Sequence, residues 1–155
     1  MTTELLTQEL AHARLGYELL PHRRTSTAGE EASAIGVEPE EVAKTLVLAT
    51  ESGYVRAVLP ASERLDLHKA RGLLGVGHDA RLATETELAG AYPMFELGAV
   101  PPFGGPTGDR TIVDRKVAGK DSVVLEAGSH TESVRMRTSD LIVLTHAVIA
   151  DICAD

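Results

Sequence analysis

The apolar and polar positions of the chain follow two periods, and the places where one gives way to the other divide it into short helices and strands. Leu5, Leu6, Glu9, Leu10 and Ala13 fall at helical spacing and Gly16 stands where a helix would stop, which predicts an amphipathic helix over residues 3–15. YELLPH at 17–22 then reads as a short strand. Thr27, followed three residues on by Glu30, has the spacing of a capping box, with Ala32, Ala34 and Ile35 behind it and Gly36 as the stop. Pro39 with Glu40 and Glu41 suits one more helical turn. KTLVLAT, ESG and YVRAVLP follow as the clearest strand, turn and strand in the chain.

Beyond Pro60, Leu65, Leu67, Leu73 and Leu74 with Gly75 read as a helix and its cap, and Thr84 with Glu87 repeats the capping-box spacing before a short helix ending at Gly90. TIVD (111–114), SVVLEA (122–127) and SVRMR (133–137) are three further strands, and Ser139 is placed to cap a last helix over DLIVLT, with Asp140 near its positive end. Adjacent strands joined by turns outnumber strand–helix–strand units. The expectation is therefore an α+β fold built on a mixed or antiparallel sheet, open or closed, rather than a doubly wound parallel one.

At 155 residues and 43% hydrophobic content the chain has the size of a single domain with a core of its own, taken here as 1–155. Its apolar runs last only a few residues, far from the roughly 20 of a membrane helix, and the start, MTTELLTQELAHARLG, lacks the basic-then-apolar pattern of a secretory signal. Cys153 has no second cysteine to pair with, so the cytoplasm is the natural compartment. A net charge of −8 argues against coating nucleic acid, including DNA, by bulk electrostatics. The charge is uneven: residues 1–43 hold 3 basic and 8 acidic groups, 44–80 hold 5 and 4, and 81–155 hold 7 and 11. Only the middle segment is positive, and it begins at Lys44.

Most familiar chemistries find no support. The histidines at 12, 22, 68, 78, 130 and 146 form no His-x-x-x-His pair and there is no Cys-x-x-Cys, so neither a metal nor another cofactor is expected. Without a Gly-x-Ser-x-Gly elbow, Ser129 beside His130 reads as a polar turn. GGPTGDRT at 104–111 resembles a phosphate loop only superficially: its glycine spacing is wrong, Arg110 stands for the lysine, and Pro106 lacks an N–H. Two features remain. Lys44 opens an apolar strand and by itself reads as a solvated lysine. GAVPPFGG (98–105) sets Pro101 and Pro102, which fix φ and donate nothing, beside the backbone N–H groups of Gly98, Ala99 and Val100 and, beyond them, Phe103 to Gly105; alone, it is equally a stiff connection or a ligand cradle.

Taken together, EEVAKTLVLAT, VRAVLPASERLDLHKA and GAVPPFGG followed by TIVD resemble the YbaK/EbsC family of aminoacyl-tRNA deacylases, relatives of the editing domain of bacterial prolyl-tRNA synthetases. YELLPHRRTSTAGEEASAIGV and LEAGSHTESVRMRTSDLIVL extend the likeness to residues 17–152, and its most specific pieces are AKTLV around Lys44 and the G-x-x-x-P loop from Gly98 to Pro102. The resemblance implies a sheet curled into a partial barrel with helices around it, and hydrolysis of the ester joining a wrong amino acid to the CCA end of a tRNA. In that reading Lys44 and Gly98 carry catalysis. Lys44 meets a phosphate or ester oxygen, Thr45 adds a hydroxyl, and Ala99, Val100 and Pro102 complete the loop. Tyr17, His22, Thr25, Phe103, Gly128 and Ser129 lie around the pocket, with half-buried packing as the other reading of Tyr17 and His22. The resemblance implies a Cys-tRNA(Pro) or Ala-tRNA(Pro) type of substrate; cysteinyl-tRNA(Pro) deacylases tend to carry a basic glycine-rich segment where this chain has AGSHTES, which counts against cysteine and leaves alanine or another small residue. Prolyl-tRNA synthetase or an elongation factor would deliver the substrate to so acidic a surface, and a non-catalytic module docking tRNA or a synthetase is the rival reading.

Overall fold

The computed structural model describes residues 2–75, 80–105 and 109–155. His78 and positions 106–108 of GGPTGDRT lie outside the described residues.

The first helix, α1 (Thr2–His12), lays Leu6 and Leu10 against the core, both at most 1% exposed. It stops earlier than the glycine suggests because Arg14 itself adopts the left-handed conformation (φ 59°). Arg14 N–H then reaches Ala11 O and Leu15 N–H reaches Leu10 O, the paired bonds of a Schellman stop. After β1 (Tyr17–Pro21), Thr27 caps α2 (Ala28–Ile35) by accepting the Glu30 N–H at 3.0 Å, while Glu30 reaches back one residue further than a standard box, to Ser26 N–H. A 3-10 turn at Pro39–Glu41 leads into β2 (Val42–Thr50) and β3 (Gly53–Pro60), an antiparallel hairpin in continuous register from Ala43↔Pro60 to Thr50↔Gly53.

Asp66 caps α3 (Leu67–Leu74), which ends at left-handed Gly75, and the reciprocal Thr84–Glu87 box starts α4 (Glu85–Ala91). A two-residue strand β4 (Arg81–Leu82) pairs with β2 between them. Then come β5 (Arg110–Asp114), a single-turn α5 (Arg115–Ala118), β6 (Ser122–Glu126), β7 (Glu132–Arg137), α6 (Thr138–Thr145) and β8 (Val148–Ala150). The last helix begins one residue before the serine expected to cap it. Its N-cap is Arg137, with no side-chain cap bond, so Ser139 lies inside the first turn.

The strands form one sheet in the order β1-β7-β6-β2-β3-β5-β8, open with β1 and β8 at its edges. Pairs β1·β7, β7·β6, β2·β3 and β2·β4 are antiparallel; β6·β2, β3·β5 and β5·β8 are parallel. This is the mixed, mainly antiparallel α+β sheet expected from the sequence. One core joins α1 and α6 to the sheet through Leu10, Val58, Val113, Leu125, Val134 and Leu141. Ala32 of α2 packs on Val42 and Val124 from the other side.

Candidate functional site

The site opens where a strand pair ends. β2 and β6 run parallel but pair only at Val42↔Val124 and Ala43↔Leu125, and beyond those two pairs they separate. The gap is a narrow cleft of about 150 Å³, lined by residues 43–46 of β2, Glu126 at the end of β6, residues 26–28 leading into α2, and Gly98 and Val100 of the proline loop. Strand alternation puts Lys44 and Glu126 on the face of Val42 and Val124, the face α2 covers. Thr45 points the other way, toward the side of Ala43 and Val58, so what it offers the cleft is main chain.

Lys44 is half-buried, and burial lowers its pKa, with the nearby Cys153 and Glu63 working against that shift. It forms no ion pair among the described residues. Its ammonium group is thus desolvated and left available.

The proline loop owes its shape to a residue outside it. Arg56, in the middle of β3 and 2% exposed, donates to Pro101 O at 2.9 Å, to Gly104 O at 2.6 Å and to the Asp109 carboxylate at 3.2 and 3.3 Å. Tyr92 donates to the same Asp109 oxygen, and its ring lies 4.9 Å from the guanidinium carbon. At the other end, Ala99 N–H binds Glu96 O and Glu96 N–H binds Gly128 O. Of the three donors that the sequence suggested ahead of the prolines, Ala99 is therefore already engaged. Gly98 and Val100 keep theirs free of any partner among the described residues. Gly98 needs its φ of 84°, which a side chain would strain, and a Cβ on Gly105 would stand 2.9 Å from the Phe95 ring.

Behind the cleft lies a buried polar group. His130 Nε2 donates to Leu97 O at 2.7 Å, since a carbonyl can only accept, and the His130 N–H donates to Glu96. His130 Nδ1 is 3.1 Å from Glu126 Oε2, but without the angle of a hydrogen bond, and both atoms are buried without a partner. Glu31 of α2 is fully buried and accepts from Ser133, whose hydroxyl is 2.9 Å from His22 Nε2. Burial pushes both carboxyls up to about 8, with Ser133 working against it at Glu31 and the charge of Glu96 adding to it at Glu126.

The residues singled out from the sequence divide accordingly. Lys44, Thr45, Gly98 and Val100 line one cleft, with Ala99 buried between the last two. Pro102 and Phe103 face a different cavity of about 480 Å³, together with Arg56 and Asp109. Thr25 is buried behind the cleft, its N–H on His130 O at 3.0 Å. Gly128 supplies the carbonyl that fixes Glu96, and Ser129 Oγ bonds Thr131 Oγ1. His22 reaches the buried group only through Ser133. Tyr17 pairs with Met136 three rungs from Ser133 and is 41% exposed, away from the cleft. Sequence reasoning missed Glu126, Glu96 and Arg56. The signal for Arg56 and Glu126 was a charge inside or at the end of an apolar strand, which is seldom buried unless it has a task.

Residues 22–144 match the model of the aminoacyl-tRNA editing domain. The chain belongs to that family. It is 31% identical over 118 residues to proline–tRNA ligase of Xanthomonas oryzae pv. oryzae, strains MAFF 311018 and KACC10331, a match covering 70% of this chain and spanning 19% of the length of those curated relatives. Among solved structures it is similar to one described as a candidate trans-editing enzyme for prolyl-tRNA synthetase (30% identity, 99% of this chain and 98% of that one, TM-score 0.86). It is also similar to the hypothetical protein APE2540 (26% identity, 99% and 100%, TM-score 0.88). The editing domain thus has one cleft lined by Lys44, by Gly98 and Val100, whose N–H groups have no partner among the described residues, and by Glu126. That combination can hold an anion and stabilise charge developing on a carbonyl oxygen.

Proposed function

We propose that this editing domain is a trans-acting deacylase that hydrolyses a mischarged aminoacyl-tRNA at its CCA end. The observation that carries the reading is the unpaired Lys44 sharing a cleft with the free N–H groups of Gly98 and Val100. Lys44 binds the phosphate beside the terminal ribose as a point charge. The Gly98 and Val100 amides, in a loop fastened at Pro101 and Gly104 by Arg56, donate to the carbonyl oxygen as it gains charge, with no reorganisation at the moment of reaction. A water oxygen attacks the carbonyl carbon, the bond to the ribose oxygen breaks, and that oxygen takes a proton, leaving a free amino acid and an uncharged tRNA. His130 Nε2 is committed to Leu97 O and its Nδ1 faces the buried oxygen of Glu126, and proton transfer is assigned to water or a substrate hydroxyl.

A space of about 150 Å³ takes a group roughly the size of benzene. That favours alanine, cysteine or another small amino acid, and the likeness to prolyl-tRNA ligase favours tRNA(Pro) as the carrier. The reaction would serve translation in the cytoplasm, with a synthetase or elongation factor presenting the substrate. The test is a deacylation assay over a panel of mischarged tRNAs. The unaltered protein should hydrolyse those carrying small residues, and Lys44→Ala should lower kcat/KM about 100-fold, or about 2.7 kcal/mol, with an unchanged circular dichroism spectrum. Equal turnover by Lys44→Ala would remove Lys44 from the mechanism. Salt-sensitive tRNA binding without hydrolysis would make the domain a binding module.

A further inference from the structure

Resting on that reading, we propose that Glu126 binds the α-ammonium group of the aminoacyl ester and so restricts the cleft to esters whose amino group is free. Glu126 ends β6 on the same sheet face as Lys44, and it is the one acid among the residues that line the cleft. Its side chain is 14% exposed; Oε2 is buried against His130 Nδ1 at 3.1 Å without the angle of a hydrogen bond, and no described residue donates a hydrogen bond to either oxygen. The other polar groups nearby are engaged elsewhere. Glu96 holds the His130 N–H and Arg24, Glu31 holds Ser133, and Thr27 holds the Glu30 N–H. Lys44 shares the cleft with Glu126 but forms no ion pair with it.

A carboxyl kept in this state is costly unless a ligand completes it. Burial, with the charge of Glu96, holds it near the neutral form, and an arriving cation would reverse that balance. The aminoacyl ester brings such a cation, attached two bonds from the carbonyl carbon. With the ester oxygen at Gly98 and Val100, a cleft of this size leaves the ammonium within reach of its single acid. The ligand also carries its phosphate on the other side of the ester, for Lys44. Cation and carboxyl in the protein therefore match anion and ammonium in the ligand. An N-acylated ester, such as the end of a peptidyl-tRNA, would leave Glu126 unpaired and bring an amide in place of the charge, so a deacylase built this way spares growing chains.

The probes are the non-hydrolysable amide 3′-alanylamino-3′-deoxyadenosine 5′-monophosphate and its N-acetyl form, titrated calorimetrically into the whole chain. The unaltered protein should bind the free-amine probe at least tenfold tighter, and Glu126→Gln should bind the two within twofold. Lys44→Ala should weaken both and preserve their ratio. The carboxyl carbon signal of Glu126 in the unaltered protein should move toward its ionised value with the free-amine probe alone, a readout that does not need the variant to fold. Equal binding of both probes by the unaltered protein, a ratio that survives in Glu126→Gln, an unmoved Glu126 signal, or no binding of either probe would each overturn the proposal. Amine-selective binding without turnover of any mischarged tRNA would uphold it and sink the deacylase reading alone.

Discussion

The proline loop has two sides, and each meets a cation in a different condition. On one side, residues 101–105 sit over Arg56, whose guanidinium is nearly fully paired: two carbonyls, one carboxylate and an aromatic face. On the other, Gly98 and Val100 share a cleft with Lys44, which has no partner among the described residues. Arginine's planar fork suits the first position, where several fixed acceptors must be joined at once; lysine's single charge suits the second, where the acceptor is still to come. The contrast separates scaffold from site. A paired buried ion maintains geometry, whereas a desolvated unpaired one is held ready for a ligand.

The largest effect should come from breaking the scaffold side. Arg56→Ala strands Asp109 and the carbonyls of Pro101 and Gly104, and should destabilise the fold by about 3–5 kcal/mol, lowering Tm by on the order of 10 °C in a thermal melt. A loss below about 1 kcal/mol would mean that the loop holds itself and that the two sides do not differ as described.

The buried carboxyls sharpen the comparison through pH. Burial raises Glu31 from 4.5 to about 8, so between those values the folded chain holds a proton that the unfolded chain has released, and stability falls as pH rises through the window. Glu31→Gln removes that contribution. It should flatten the pH dependence of urea unfolding and raise stability at pH 8 by on the order of 2 kcal/mol, while Glu126, raised to a similar value, leaves a residual slope. An unchanged slope would show that Glu31 is ionised in its pocket.

The smallest stability effect belongs to the site side. Lys44→Met strands no partner and relieves a desolvated charge, so chemical denaturation should shift by less than about 1 kcal/mol, in the stabilising direction if at all. A loss as large as that of Arg56→Ala would place Lys44 in the scaffold.

Much of the fold was legible because its signals are local. Thr27, Thr84, Gly36 and Gly75 cap helices where their spacing predicted, and the two strands around Glu51 and Ser52 pair in the expected hairpin. Where a stop depended on an unexpected residue, as at Arg14, or a strand was too short for a pattern, as in β4 and β8, the reading slipped or found nothing. For the site, Lys44 and Gly98 stood out through a resemblance and do share a cleft. Tyr17 did not join them, because β1 carries it to the far end of its pairing with β7.

The sequence by itself determined which segments fold into helices and hairpins, that one lysine lies in an apolar strand, and that one loop is stiff between glycines. Those are properties of residues close in the chain. Only the tertiary structure decided that β2 and β6 part after two residue pairs, that Lys44 and Glu126 line the same gap, and that Arg56 fastens the loop from beneath. Such facts depend on strand order and register, which pair residues 82 positions apart, and no local pattern encodes them.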